Sequence, residues 1–126
     1  MRLLLDTHAF LWVLGNPKKL SKKLTTSIED PSTNVFVSAA STWEIAIKTA
    51  LGKLRADLDE LVAESRSLGF KDLPVSVAHT LRVRSLPPHH RDPFDRVLVA
   101  QAIEDGLTLV TRDPDICRYQ VATLWD

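Results

Sequence analysis

Arg2-Leu3-Leu4-Leu5-Asp6-Thr7-His8 is the stretch that decides the fold. Three leucines run into an aspartate without polar alternation, the pattern of a central strand covered on both faces. This places strand one at residues 2–6. Val35-Phe36-Val37 and Leu107-Thr108-Leu109-Val110 are further apolar runs of strand length, and helical patterns lie between them. Strands alternating with helices predict an α/β fold: a mostly parallel sheet of four to five strands with helices on both faces. Ligands of such sheets bind beyond the carboxyl ends of the strands, where helices begin. Asp6 stands at that edge, and Asp113 lies just past the strand predicted at 107–111. Glu44 follows the Val35–Val37 run and is expected in the first turn of a helix. Asp95 opens another helix within His90-Arg91-Asp92-Pro93-Phe94-Asp95-Arg96.

The remaining elements follow from caps and periodicity. Thr7 is read as the cap of a helix carrying Phe10, Leu11 and Leu14 that ends near Gly15-Asn16-Pro17. Ser21 caps a short helix with Leu24 and Ile28, and Pro31–Asn34 is a turn. A helix from Ser41 to Leu51 has Trp43, Ala46, Ile47, Ala50 and Leu51 at i, i+3, i+4 spacing, which predicts a buried stripe. Gly52 is its C-terminal cap. Asp57 and Glu60 have capping-box spacing at the start of a helix running to Leu68. Phe70–Val75 holds an edge strand, where Pro74 is tolerated. Ser76–Arg84 is a short helix, and the proline-stiffened segment 85–91 is a loop in which His89 and His90 are expected to be solvated. Pro93 occupies the first position of a helix from Asp92 to Asp105, closed by Gly106. Its apolar face is Phe94, Val97, Leu98, Ala102 and Ile103. Pro114–Arg118 makes one turn, and Val121–Trp125 is the last strand.

A length of 126 residues fits one domain, residues 1–126. Sixteen basic and sixteen acidic residues exclude a globally basic surface, so any contact with a polyanion needs a local patch. Zero net charge also favours self-association or a partner. The lone cysteine, Cys117, excludes an internal disulfide and a zinc-cysteine cluster, and is read as a buried inert thiol. No apolar run reaches the ~20 residues that cross a bilayer. Asp6 and His8 interrupt the N-terminal leucines, and no small-residue cleavage site follows. The expectation is a cytoplasmic protein without membrane association.

Each acid has a structural alternative. Asp6 starts a turn. Glu44 completes a capping box with Ser41 and an i, i+4 ion pair with Lys48. Asp92 is an N-cap that favours Asp95 in the first turn, and Asp113-Pro114 is another cap signature. Caps alone leave Asp6 and Asp113 unexplained as acids beyond adjacent central strands. Clustered carboxylates resist joint ionisation, and a hard divalent cation relieves that repulsion. No histidine has zinc-ligand spacing, and oxygen-only ligation suits Mg²⁺ or Mn²⁺. Such an ion supports hydrolytic phosphoryl chemistry.

At these residues the chain resembles PIN-domain ribonucleases, specifically the VapC-type toxins of type II toxin–antitoxin pairs. The resemblance rests on Leu3–His8, Val37–Lys48, His90–Ala102 and Leu109–Asp113, which span nearly the whole chain in the family's order. It implies a PIN-like twisted sheet and a metal site of Asp6, Glu44, Asp95 and Asp113. It further implies a homodimer, and a cognate antitoxin that covers the active groove and itself carries the contact with operator DNA. The expected reaction is endonucleolytic cleavage of single-stranded RNA to a 5′-phosphate and a 3′-hydroxyl. Asp6 and Asp95 are the expected principal ligands, with Glu44 and Asp113 completing the pocket or orienting the attacking water. Thr111 looks like the family's hydroxyl beside the acids. Thr7, Ser41, Asp92, Arg96 and Arg112 are expected around them, as supports or substrate contacts. Lys48, Arg91, Arg96 and Arg112 are candidate RNA contacts, and Lys18-Lys19 with Lys22-Lys23 reads as a solvated helix face. Phe10 is read as core, and Trp12 as core or part of an antitoxin groove.

Other readings stay open. Haloacid-dehalogenase-like phosphatases also place an Asp after the first strand and use Mg²⁺, but carry a second Asp two positions later, where this chain has His8. Response-regulator receivers need an Asp after a middle strand and a late Lys, and neither is clear here. A non-enzymatic alternative is a PIN-like module whose carboxylates only hold an ion or an antitoxin arginine. The RNA target, the number of metals and the antitoxin are not legible in the sequence.

Overall fold

The computed structural model describes residues 1–126. Five strands, β1 (Arg2–Leu5), β2 (Asn34–Ser38), β3 (Lys71–Leu73), β4 (Thr108–Val110) and β5 (Thr123–Leu124), form one sheet in the order β3-β2-β1-β4-β5. Every pairing is parallel. The helices are α1 (Thr7–Gly15), α2 (Lys22–Glu29), α3 (Ala39–Ala50), α4 (Leu58–Ser67), α5 (Val77–Val83) and α6 (Pro93–Asp105). No helix is long and apolar enough to cross a membrane.

The leucine run is buried as its continuity predicts. Leu4 and Leu109 join a core with Leu98, Val99, Ala102 and Ile116 on one face. Leu3, Leu5, Val35, Val37 and Val110 pack with Phe10, Leu24, Ile28 and Ile45 on the other. Leu5 is in register with Val37 and with Val110, so β1, β2 and β4 end level with one another. That alignment brings the segments after three strands to a single edge.

Several local expectations are corrected. Asp6, not Thr7, caps α1, accepting from the Ala9 N–H at 2.7 Å. Helix α3 starts at Ala39 with Ser38 as its cap, so Ser41 and Glu44 form no capping box, and Glu44 lies in the second turn. The supposed buried stripe of α3 is its solvent face: Trp43, Ala46, Ile47, Ala50 and Leu51 are all exposed. Ala40, Ser41, Glu44 and Ile45 face inward instead. Apolar spacing identifies a helix with two faces without saying which neighbour each face meets. Strand β3 stops at Leu73, before Pro74. Cys117, on a 3₁₀ turn at Ile116–Arg118, is exposed rather than buried. Asp57, Ser21 and Asp92 cap their helices as expected, and Ser76 caps α5.

Candidate active site

Each acid is held by the element its sequence context builds. Asp6 directly follows β1 and is 4% exposed, with its amide donating to the Val110 carbonyl of β4 at 3.0 Å. Thr111, also buried, follows β4, and its hydroxyl accepts from the Asp113 amide at 3.0 Å. Asp113 Oδ1 accepts from the amides of Asp115 and Ile116 at 2.8 and 3.3 Å, which folds the turn back over the strand end. Asp92 caps α6 through the Asp95 amide at 3.0 Å, fixing Asp95 in the first turn.

Glu44 reaches the same edge from α3 and is 4% exposed. Its Oε1 accepts from the Thr7 hydroxyl at 2.7 Å and its Oε2 from Lys48 Nζ at 2.6 Å. The Thr7 hydroxyl also lies 3.1 Å from Ser41 Oγ, which is fully buried. Behind them Ser38 Oγ donates to Gln101 Oε1 at 2.6 Å, tying the end of β2 to α6.

The electrostatics report that the acids share one region. Burial, then the neighbouring carboxylates of Asp92, Asp113, Glu44 and Asp6, push Asp95 up to about 7. Burial raises Asp6 as well, opposed by the Thr111 hydroxyl, the Ala9 amide and the charge of His8, with Asp113 adding to the rise. Lys48 is raised by its hydrogen bond to Glu44, and it also feels Asp92 and Asp95. No three carboxylates or imidazoles stand at metal-coordinating distances. The donor set nevertheless fits a hard divalent cation: it is oxygen-only, and its members destabilise one another's charge. Glu44 is the member least free to ligate, because both its oxygens are engaged.

The surrounding cations are more committed than their positions in sequence suggested. Arg112 lies over the Trp12 ring at 4.3 Å and near Trp125 at 6.0 Å, while Lys19 covers Trp12 at 4.8 Å. Trp12 also meets Trp125 edge-on at 5.6 Å. Phe10 is fully buried. Arg96 donates to the Pro87 carbonyl at 2.9 Å and to the Tyr119 hydroxyl at 3.0 Å, so it pins the loop before α6. Arg91 is exposed.

Two site neighbours escaped the sequence reading. His89 and His90 are half-buried rather than solvated, and both pack on Tyr119. His90 Nε2 is 3.4 Å from Asp95 Oδ2. The five-residue spacing of His90 and Asp95 was visible, but nothing local in sequence signals that Tyr119 would fill the space beneath the loop. A cavity of about 670 Å³ lined by Val13, Leu14, Asn34, Val35 and Phe70 among others includes the start of β2 and none of the four acids. It is therefore not this site.

Comparison with known proteins agrees with the geometry. The PIN domain matches residues 3–122. The chain is 33% identical over 117 residues to Ribonuclease VapC22 of Mycobacterium tuberculosis, covering 87% of this chain and 85% of that protein. Among solved structures, VapBC2 from Rickettsia felis bound to a DNA fragment from its promoter has a TM-score of 0.78 at 16% identity and full coverage of both chains. FitAcB from Neisseria gonorrhoeae has a TM-score of 0.64 at 24% identity, covering 97% of this chain and 96% of that one. VapBC-1 from nontypeable Haemophilus influenzae has 0.63 at 16%, covering 98% and 97%. At these identities the structural likeness concerns the fold. Family match, sequence relative and sheet topology together show that the chain belongs to the PIN-domain family, among the VapC ribonucleases.

Proposed function

We propose that this protein is a Mg²⁺- or Mn²⁺-dependent endoribonuclease, the toxin of a type II toxin–antitoxin pair, acting in the cytoplasm. The observation that carries the reading is the gathering of four acids from four chain segments, where burial first and then their neighbouring charges push Asp95 up to about 7. A cation bound there supplies positive charge to a phosphodiester transition state and acidifies a water molecule. Asp6 and Asp95 are the principal ligands, with Asp113 beside them. Asp6 is aimed by the α1 cap, and Asp95 by Asp92. Glu44, held by Thr7 and Lys48, is placed to accept a proton or orient water rather than to lead the ligand set. Thr111 and Ser41 fix Asp113 and Thr7. Lys48, bonded to Glu44, and Arg112, adjacent to Asp113 in sequence, are cations of this rim, and RNA is expected along it.

The relatives with VapBC and FitAB names support an antitoxin as partner, with operator DNA contacted through it. A homodimer is supported by the exposed stripe of Trp43, Ile47 and Leu51 on α3, since apolar surface of that kind marks interaction sites. The test is cleavage of a folded RNA pool by wild type and Asp6→Asn, with Mn²⁺ and with EDTA. Cutting that needs both the metal and Asp6 is the expected result. Cutting that survives either removal overturns the proposal. Absence of cutting by a folded, Mn²⁺-binding wild type favours a module that binds ion or antitoxin without catalysis.

A further inference from the structure

Beyond the four acids, a chain of half-buried hydrogen bonds runs from Arg96 through Tyr119 and His90 to Asp95. Arg96 Nη1 donates to the Tyr119 hydroxyl at 3.0 Å. That hydroxyl is 2.9 Å from His90 Nδ1, and His90 Nε2 is 3.4 Å from Asp95 Oδ2. A guanidinium only donates, so the tyrosine oxygen accepts from it. Tyr119 is 4% exposed, so its own proton has no solvent partner and goes to His90 Nδ1. An accepting Nδ1 carries no proton. A ring that accepts at Nδ1 presents an N–H at Nε2, facing the carboxylate. His89 packs edge-on against the Tyr119 ring at 4.7 Å, and Arg118 donates to the His89 carbonyl at 3.1 Å, which fix the loop over the ring.

We infer that Arg96, Tyr119 and His90 are positioning residues for Asp95, fixing one imidazole tautomer so that its N–H holds the carboxylate in the orientation that receives the metal. This deepens the nuclease reading and rests on it. Outer partners of metal ligands set ligand orientation, and their loss typically costs about 10- to 100-fold in metal affinity. A neutral donor suits this position: it holds one oxygen of Asp95 and adds no cation to compete with the metal. Arg96 serves the relay by spending its charge on Tyr119 and on the carbonyls of Val83, Leu86 and Pro87, which keeps it off the carboxylates.

The experiment combines two readouts on the full chain: ¹⁵N spectra of the metal-free His90 ring at mildly alkaline pH, and calorimetric Mn²⁺ affinity. Wild type is expected to show a proton on Nε2 alone. Tyr119→Phe keeps the ring in the core, and is expected to give mixed tautomers and a loss of about 10- to 100-fold in Mn²⁺ affinity. His90→Ala should lose as much, and His90→Gln, whose terminal amide can still donate to Asp95, should recover most of it. A proton on Nδ1 in wild type, or wild-type affinity in both Tyr119→Phe and His90→Ala, overturns the relay. Asp95→Asn separates the two levels. If wild type binds no Mn²⁺, or Asp95→Asn binds it as tightly, the metal reading itself fails and the positioning role with it. The spectra alone still decide whether the hydrogen-bond chain exists.

Discussion

The Thr7 hydroxyl donates to Glu44 Oε1 at 2.7 Å, joining the first turn of α1 to the middle of α3 across the acidic edge. Both residues are buried. Thr7→Val keeps the shape and removes the donor, leaving a carboxylate oxygen without its partner. The expected cost is about 1–3 kcal/mol. Urea unfolding with an unchanged slope and a lower midpoint would report it; an unchanged midpoint would mean that Glu44 finds another partner.

Asp6 has two duties that different substitutions separate. Asn retains a side-chain oxygen for the Ala9 amide, so Asp6→Asn should preserve α1 while abolishing cleavage. Asp6→Ala should abolish cleavage and also lose the cap, at about 1 kcal/mol. Thermal melts of the two variants beside RNA-cleavage assays distinguish them. Equal melting temperatures would show that the cap contributes little.

Asp95 makes the stability of the metal-free protein depend on pH. Its carboxyl is raised from an ordinary 3.8 to about 7, so the folded state binds the extra proton between these values. The associated stability is complete below pH 3.8 and is lost as pH rises through about 7. Asp95→Asn should flatten that fall. Saturating Mn²⁺ should reverse it by stabilising the ionised form. Chemical denaturation at several pH values, with and without Mn²⁺, measures this; a wild-type curve no steeper than that of Asp95→Asn would contradict the assignment.

The outward stripe of α3 predicts self-association. Ile47→Glu and Leu51→Glu place charge on the exposed face, away from the inward Glu44. Sedimentation should show a dimer for wild type and a shift towards monomer for both variants. A monomeric wild type at high concentration would leave the stripe to the antitoxin.

The sheet was legible because its signal is local. Leu3–Leu5, Val35–Val37 and Leu107–Val110 are strands whatever their neighbours, and Asp6 and Asp113 inherit their place from them. The caps at Ser21, Asp57 and Asp92 were legible for the same reason. What failed depended on long-range packing. Whether Trp43 or Glu44 faced inward depended on partners distant in sequence, such as Thr7 for Glu44 and the core around Ile45, and not on the helix's own periodicity. His90 was misread as solvated because its burial depends on Tyr119. Arg96 and Arg112 looked like free cations beside acids, yet the former holds a loop and the latter lies on tryptophan rings.

Strand β1 pairs with β4, so an early segment of this domain waits for one much later in the chain. Until Thr108–Val110 leaves the ribosome, Asp6 has no Asp113 beside it and β1 has one open edge. A growing polypeptide therefore carries no assembled acidic cluster. Pairing so distant in sequence also forms slowly. A nuclease built in this order gains its chemistry only once the segments after both strands have been made.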